Sequence, residues 1–265
     1  MPPAKKRTRS YDPAKVRSAV LAQFGHVRDA VRTLTPAQLA RPTRLGDWTV
    51  RELAVHHTMA LGMLERHLAE QEPLKQEVAL LDWPFATAAA AGQVADGTRE
   101  LAERVGDLDA LFERRATRTA ELFDATADTR LMPTRFGAMT FADVLVTRAV
   151  ELIVHTDDLN DALPELGVPY DRQALAACTR LLADALAVKA PGGSVEVRIP
   201  PYAVVQCVAG PKHTRGTPPN VVETDPLTWI RLATGRTGWA EALDAAQVAA
   251  SGERADLTAL LPVMS

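Results

Sequence analysis

Four polar side chains suited to acid–base or metal chemistry lie at helical spacing in one stretch of the sequence. Arg148, Glu151, His155 and Asp158 are separated by three, four and three residues. At about 100° per residue they fall within a sector of roughly 80° on a helix. Apolar residues flank this polar stripe, which predicts that it faces inward or lines a cleft. Two ion pairs within one exposed helix face would explain the same spacing.

Glu151 and His155 are one helical turn apart, so a carboxylate oxygen and an imidazole nitrogen can reach one metal ion from the same face. A third ligand must then come from another helix. The sequence offers His56 and His57, which both lie at the margin of an apolar stripe. Spacing does not choose between them, and either histidine can instead be a hydrogen-bonded structural residue.

The apolar periodicity predicts four long helices that position these side chains. The predicted helices cover residues 12–34, 49–70, 98–126 and 140–163. Residues 129–140 are predicted to form a loop, and residues 71–97 show no clear pattern because Pro73 and Pro84 interrupt them. Four long helices with an irregular insertion predict an antiparallel four-helix bundle.

The pattern changes after residue 165. The predicted elements are a helix (171–191), three short strands (194–199, 202–210, 221–225), two helical segments (226–236, 239–246), a strand (248–252) and a helical turn (253–261). This order predicts a small α+β domain over residues 171–265, with the boundary near residues 165–170. Residues 12–165 would form the bundle, and residues 1–11 a disordered basic tail.

Composition and charge exclude several classes of protein. The chain has 265 residues, and 47% of them are hydrophobic, which is typical of a globular protein. Its net charge of −3 gives no overall basic field. We therefore expect no nucleic-acid partner. No apolar run approaches the ~18 residues of a membrane helix, and no apolar segment follows the basic start. We expect a cytoplasmic protein without a membrane span or secretory signal, and Cys178 and Cys207 are too few for a disulfide framework.

Two segments of the sequence resemble one known family. LGDWTVRELAVHH resembles the GW-T-x-x-x-L-x-x-H segment of the mycothiol-dependent maleylpyruvate isomerase family, and RAVELIVHTDDL resembles its R-x-x-E-x-x-x-H-x-x-D-L segment. That family belongs to the DinB-like metalloenzyme bundles. Their divalent ion, usually zinc, is held by a histidine of the second helix and by a Glu and a His of the fourth.

The resemblance covers roughly residues 12–165 and implies a ligand set for this chain. The family histidine lies eight residues after the tryptophan, which corresponds to His56 and not to His57. The other two implied ligands are Glu151 and His155. Arg148 and Asp158 match the flanking family positions, and we expect them to have catalytic roles.

The last part of the chain resembles the bacterial sterol-carrier-like domain through its T-D-P, L-A-T-G-R and A-S-G-E-R-A-D-L segments. The resemblance implies a sheet and helices around an apolar tunnel. Its predicted lining is Val195, Val197, Ile199, Val204, Val205, Trp229, Ile230 and Leu232, unless these side chains simply form a core. Arg231 and Arg236 either bind an anion or lie on the surface. The short connection predicts that this domain buries Trp229 and packs on the bundle as a lid.

Two histidines and one carboxylate leave a zinc ion with an open coordination position, which water or a thiol can enter. A bound cation lowers the pKa of a thiol and favours the thiolate. Neither cysteine lies in a motif near the predicted ligands, so the thiol would come from solution. This agrees with the mycothiol, or another low-molecular-weight thiol, that the resemblance implies.

The sequence therefore predicts a metal-dependent thiol isomerase or S-transferase that acts on a small electrophilic substrate, with Arg148 orienting an anionic group. Two alternatives remain. One is a carrier of lipids or other hydrophobic ligands that uses the C-terminal domain and keeps the metal for structure. The other is a regulatory binding module without turnover.

Overall fold

The structure, a computed structural model, describes residues 9–210 and 218–264. The helices in this part of the chain are α1 (Pro13–Val31), α2 (Pro36–Leu39), α3 (Val50–Leu68), α4 (Trp83–Ala86), α5 (Ala91–Arg104), α6 (Leu108–Ala125), α7 (Phe141–Ala162), α8 (Arg172–Lys189), α9 (Pro226–Ala233) and α10 (Trp239–Asp244). The strands are β1 (Leu131–Thr134), β2 (Gly137–Thr140), β3 (Val195–Ile199), β4 (Ala203–Cys207), β5 (Val221–Thr224) and β6 (Val248–Ser251). Helix α1 packs on α6 and α7, and α3 packs on the same two helices, which confirms the helical N-terminal region.

Side-chain caps set the starts of the two helices that carry the predicted site. The backbone N–H of Thr49 donates to the carboxylate of Glu52 at 2.7 Å, as in a capping box at the start of α3. The side chain of Thr140 accepts a hydrogen bond from the backbone N–H of Asp143 at the start of α7. These contacts satisfy N–H groups that have no partner within their helix. The predicted starts of both helices are confirmed.

One continuous apolar core runs through the bundle and into the C-terminal region. The rings of Phe24 on α1 and Phe112 on α6 meet in it with centroids 5.1 Å apart. Leu145, Leu152 and Ile153 on α7 are fully buried. Each such side chain contributes about 1.5–3 kcal/mol by leaving water. None of the described helices is long and apolar enough to cross a membrane.

The prediction of a single helix over residues 98–126 is wrong. Helix α5 ends at Arg104 and α6 begins at Leu108. Val105 has an extended backbone, and the side chain of Asp107 accepts a hydrogen bond from the N–H of Ala110. An N-cap aspartate after a glycine stops one helix and starts the next, although the apolar periodicity continues across the break.

The loop predicted over residues 129–140 is a β-hairpin. Strands β1 and β2 pair antiparallel, with Thr134 opposite Gly137 and a two-residue turn of Arg135 and Phe136 between them. Gly137 has a φ of +119°, and an added Cβ would lie 2.9 Å from the side chain of Val78. Only glycine suits this backbone and this close approach. Apolar periodicity gave no indication of this hairpin.

The C-terminal region is the predicted α+β unit. Its sheet has the order β4-β3-β5-β6, in which only the β3–β5 pair is parallel among the described strands. Helix α8 packs on α1 and α7 of the bundle and also on β4 and α9. The buried Trp229 belongs to the continuous core. The predicted packing of this region against the bundle is thus present.

Two expectations about this region need correction. Val204, predicted to line a tunnel, is 58% exposed, because β4 alternates and turns this residue away from the core. Residues 9–11 are not a free tail: Arg9 forms an ion pair with Asp184 on α8 at 2.9 Å, and Tyr11 packs against the core. Residues 1–8, the rest of the predicted tail, lie outside the described residues.

Candidate metal centre

The structure brings together His56, Glu151 and His155, the three side chains that the sequence motifs single out. His56 is on α3, and the other two residues are on α7. One ligand atom of each lies within 4.8 Å of the others. The Nε2 atoms of His56 and His155 are each 3.6 Å from Glu151 Oε2. The predicted one-turn spacing therefore places a carboxylate and an imidazole beside a second imidazole.

These distances fit a shared cation better than direct hydrogen bonds. A nitrogen–oxygen separation of 3.6 Å is too long for a hydrogen bond. Ligand distances of about 2.0–2.2 Å from zinc give neighbouring donors of a tetrahedral site a separation of about 3.4 Å. Two imidazoles and a carboxylate are also a donor set of catalytic zinc sites. The residues present therefore fit a divalent metal ion.

Each imidazole is oriented by a contact to its other nitrogen. His155 Nδ1 lies 2.8 Å from Asp158 Oδ2, and His56 Nδ1 lies 3.4 Å from the hydroxyl oxygen of Thr98. The ring of Trp48 is 5.1 Å from that of His56. Contacts to Nδ1 leave Nε2 of both rings directed at Glu151, as metal-binding histidines require.

His57 has different surroundings from His56. Its Nδ1 lies 2.9 Å from the carbonyl oxygen of Leu53, and its buried Nε2 has no hydrogen-bond partner among the described residues. Burial, with the charge of His155 as a smaller cause, lowers the pKa of His57 to about 3. His57 lies outside the cluster and fits the structural role that the sequence left open for one of the two histidines.

The ionisation of the cluster follows from its charges. Burial alone would raise the pKa of Glu151, but the neighbouring His155, His56 and Arg148 hold it well below its usual value. Burial also lowers the pKa of His56. The same burial acts on His155, yet Asp158 and Glu151 outweigh it and raise the pKa of His155. The cluster thus contains an ionised carboxylate beside a neutral His56, which suits cation binding.

Asp158 lies behind His155. It is fully buried and does not line the cavity described below. Arg236 donates to both of its oxygens at 3.0 and 2.8 Å, and Arg44 donates at 2.6 Å. Burial opposes its ionisation, but His155 and Arg236 hold the pKa of Asp158 far below its usual value. Asp158 therefore orients the ring of His155 and does not reach the cavity.

A second buried aspartate, which the sequence analysis did not single out, joins the two regions of the chain. Asp157 accepts hydrogen bonds from Arg231 on α9 at 2.7 Å, from Arg44 at 2.6 Å and from the Tyr170 hydroxyl at 3.0 Å. Arg231 and Arg236, expected to bind an anion or to lie on the surface, instead bind these two carboxylates of α7. The sequence did contain a signal for Asp157: the TDDL segment places two adjacent acidic residues on a predicted helix among apolar residues.

A cavity of about 610 Å³ opens onto the cluster. Arg148 lines it beside Glu151, and its Nε donates to the Thr147 hydroxyl at 3.2 Å. The C-terminal region supplies Arg236 and Met264 to the wall. The cavity is therefore closed in part by the region that was predicted to act as a lid.

The fold and the site define a helical bundle that carries a two-histidine, one-carboxylate cluster and is followed by a small α+β region. The chain belongs to the family described as mycothiol maleylpyruvate isomerase N-terminal domain, whose model matches residues 20–160. Residues 171–263 match the family described as bacterial SCP ortholog. Both resemblances read from the sequence are confirmed.

Two solved structures are similar to nearly the whole chain. Both are crystal structures of a mycothiol-dependent maleylpyruvate isomerase, one of them a mutant. Each is 17% identical to this chain and covers 91% of it and 93% of its own length, with TM-scores of 0.57 for the mutant and 0.56 for the other. At this identity the similarity shows the fold. No curated protein matches the chain in sequence.

Proposed function

We propose that this chain is a metal-dependent isomerase or S-transferase that acts on a small electrophilic substrate with a mycothiol-type thiol. The observation that carries the proposal is the cluster of His56, Glu151 and His155 on the wall of a large cavity. The description of the matched family and the names of the two similar structures support a mycothiol-related isomerase role.

The ion that best suits the cluster is zinc. His56, Glu151 and His155 would hold it, and catalytic sites with three protein ligands keep a further position for water or substrate. Bound there, zinc would lower the pKa of a thiol and favour its thiolate. Asp158 would act as a positioning residue through His155, which replaces the catalytic role expected from the sequence.

The chain offers no thiol of its own to this site. Cys178 and Cys207 are both fully buried, and neither lines the cavity. Burial raises the pKa of the Cys178 thiol, which suppresses its thiolate. A low-molecular-weight thiol from solution would therefore supply the sulfur.

Arg148 is the residue that would orient the substrate. Its guanidinium lies on the cavity wall one turn from Glu151, where it can bind a carboxylate of the substrate or an anionic group of the thiol. In an isomerisation, the thiolate adds to an activated double bond, the resulting single bond rotates, and the thiolate leaves as the double bond forms again. Arg148 would hold the anionic end fixed while the other end rotates.

The carrier alternative receives less support from the structure. The cavity of about 610 Å³ lies in the bundle and has only Arg236 and Met264 from the C-terminal region in its wall. Val195, Val197 and Ile199, predicted to line a tunnel, belong to the continuous core. The cytoplasmic location stays a prediction.

The decisive experiment measures turnover of electrophilic substrates with mycothiol present or absent, and with zinc removed or restored. We expect activity only when both are present. His56→Ala should abolish the activity. His26→Ala should retain the activity, because His26 is on α1 and does not line the cavity. Loss of both cysteines should leave the activity nearly intact. Equal turnover without thiol would indicate metal-dependent hydrolysis, and no turnover with any substrate would favour a carrier.

A further inference from the structure

The arginines that line the cavity differ in whether they have a carboxylate partner. Arg99 and Arg236 form ion pairs with aspartates at 2.7 and 2.8 Å. Arg66, Arg135 and Arg148 also line the cavity, but none of them forms an ion pair with another described residue. The cavity wall therefore carries positive charge that is available to a ligand.

Arg135 and Arg148 reach the cavity from two different elements. Arg135 is in the β1–β2 turn, and Arg148 is on α7. Burial lowers the pKa of Arg148, Glu151 raises it, and the positive charge of Arg135 lowers it again. Two cations that repel each other across a cavity are stabilised when an anion binds between them. Their planar guanidinium groups suit the paired oxygens of a carboxylate or phosphate.

The rest of the wall is largely apolar. It includes Met59 and Met63 of α3, Trp83, Phe136 beside Arg135 in the hairpin turn, and Met139. A cavity of about 610 Å³ is as large as those that enclose drug-sized ligands, with a few polar groups in an apolar lining. Methionines adapt to varied apolar shapes. This lining suits an anion with a sizeable apolar body better than a compact molecule charged at both ends.

We propose that the cavity binds an amphiphilic anion, with its carboxylate or phosphate between Arg135 and Arg148 and its apolar body against the methionine and aromatic side chains. The proposal rests on the proposed function for the ligand's role as substrate. Binding itself requires neither thiol nor turnover. The β1–β2 hairpin, which carries Arg135 and Phe136, then determines which substrates bind beside the metal cluster.

The test measures binding of octanoate, hexanoate, octyl phosphate and 1-octanol to the purified full chain by calorimetry. Trp48 and Trp83 lie in the cavity wall, so their fluorescence provides a second readout. We expect octanoate to bind at least about tenfold more tightly than 1-octanol, because a hydrogen bond to a charged group contributes more than one to a neutral group. Each methylene added to the acid should tighten binding about fourfold. The two anionic head groups are distinguished by comparing octanoate with octyl phosphate.

Two variants identify the groups that bind the anion. Arg135→Gln and Arg148→Gln should each weaken octanoate binding about tenfold and leave 1-octanol unchanged. Arg114→Gln is the matched control, because Arg114 is exposed on α6 and does not line the cavity. Arg135 is exposed in a turn, so its variant should fold even if that of Arg148 does not.

Equal affinity for octanoate and 1-octanol, or unchanged affinity in the Arg135 variant, would overturn the anion site. Affinity that does not depend on chain length would overturn the apolar part. Measurements on metal-free and zinc-loaded protein separate this proposal from the proposed function. Octanoate binding that depends on Arg135 in a protein without thiol-dependent activity would support the anion site and contradict only the reaction.

Discussion

Glu151 and Asp158 are two carboxylates on the same helix, about two turns apart, with different partners. Asp158, which faces the C-terminal region, accepts hydrogen bonds of 2.6 to 3.0 Å from two arginines and lies 2.8 Å from a histidine nitrogen. Among the described residues, the ion-pair partners of Glu151, which faces α3, are two imidazole nitrogens at 3.6 Å. Asp158 is thus paired directly with arginines, whereas no arginine in the described part of the chain forms an ion pair with Glu151 on the same stripe of α7.

This difference distinguishes a carboxylate that stabilises the fold from a carboxylate that is available to bind a metal ion. A buried carboxylate needs a cation or several hydrogen bonds to stay ionised. Asp158 obtains both from Arg44 and Arg236, so it ties the two regions together and fixes His155. Glu151 is ionised with fewer direct contacts, so an external cation can complete its surroundings.

Glu151→Gln should abolish metal binding. The substitution removes the only anionic ligand of the cluster while it preserves the shape of the side chain. Bound zinc should fall from about one ion per chain to less than about a tenth, as measured by elemental analysis after dialysis. Glu165→Gln, which changes an exposed carboxylate, should retain the metal. Full zinc content in the Glu151 variant would contradict the assignment of this residue.

Arg236→Ala should destabilise the protein strongly without removing a metal ligand. It leaves the fully buried Asp158 with one arginine fewer, and breaking a buried ion pair costs about 3–5 kcal/mol in free energy of unfolding. Urea denaturation of the metal-free protein measures the loss. Arg118→Ala, which breaks half-exposed surface pairs, should cost far less. Similar losses in the two variants would contradict a special role of the buried Asp158 pair in stability.

The pH dependence of the metal-free protein should show that His57 is buried without a charged partner. Its pKa is about 3 in the folded state, so below pH ~6.5 the unfolded state binds a proton that the folded state does not. The contribution of His57 to stability should therefore fall by about 1.4 kcal/mol per pH unit as the pH drops below ~6.5. His155, with a raised pKa, contributes in the opposite sense and loses stability as the pH rises above ~6.5. A His57→Gln variant with the slope of the parent protein would contradict this account.

Thr98→Val should have the smallest effect. Its hydroxyl contacts His56 Nδ1 at 3.4 Å, a weaker contact than that of Asp158 to His155 at 2.8 Å. Zinc affinity, measured by competition with a chelator, should fall less than about tenfold in this variant. Asp158→Asn should lower it by about 10–100-fold, as substitutions of groups that orient metal ligands do. A larger loss for Thr98→Val than for Asp158→Asn would reverse the proposed order of the two partners.

The sequence predicts the ligand-bearing helices well, because the signals that determine them are local. Thr49 and Glu52 start α3 and Thr140 starts α7, and the one-turn spacing of Glu151 and His155 is preserved on any helix. The choice between His56 and His57 needed more than periodicity, since both lie at the margin of the same stripe. The family resemblance selected His56, and the packing of α3 on α7 places its imidazole opposite Glu151.

The parts that the sequence did not predict depend on contacts between distant segments. The partners of Asp158 are Arg44 and Arg236, which are 114 and 78 residues away along the chain. The turn that brings Arg135 to the cavity depends on a glycine with positive φ inside what looks like a loop. Apolar periodicity carries no information on such contacts, so the charge network and the cavity wall become visible only in the folded chain.

We propose that the cluster binds zinc through two imidazoles and a carboxylate and leaves a position open to an external thiol. X-ray absorption at the zinc edge of the zinc-loaded protein tests it most directly, with and without mycothiol. Without thiol, we predict only nitrogen and oxygen neighbours at about 2.0–2.2 Å, and with thiol a single sulfur neighbour at about 2.3 Å. A spectrum that mycothiol leaves unchanged, or sulfur coordination before it is added, would contradict the account.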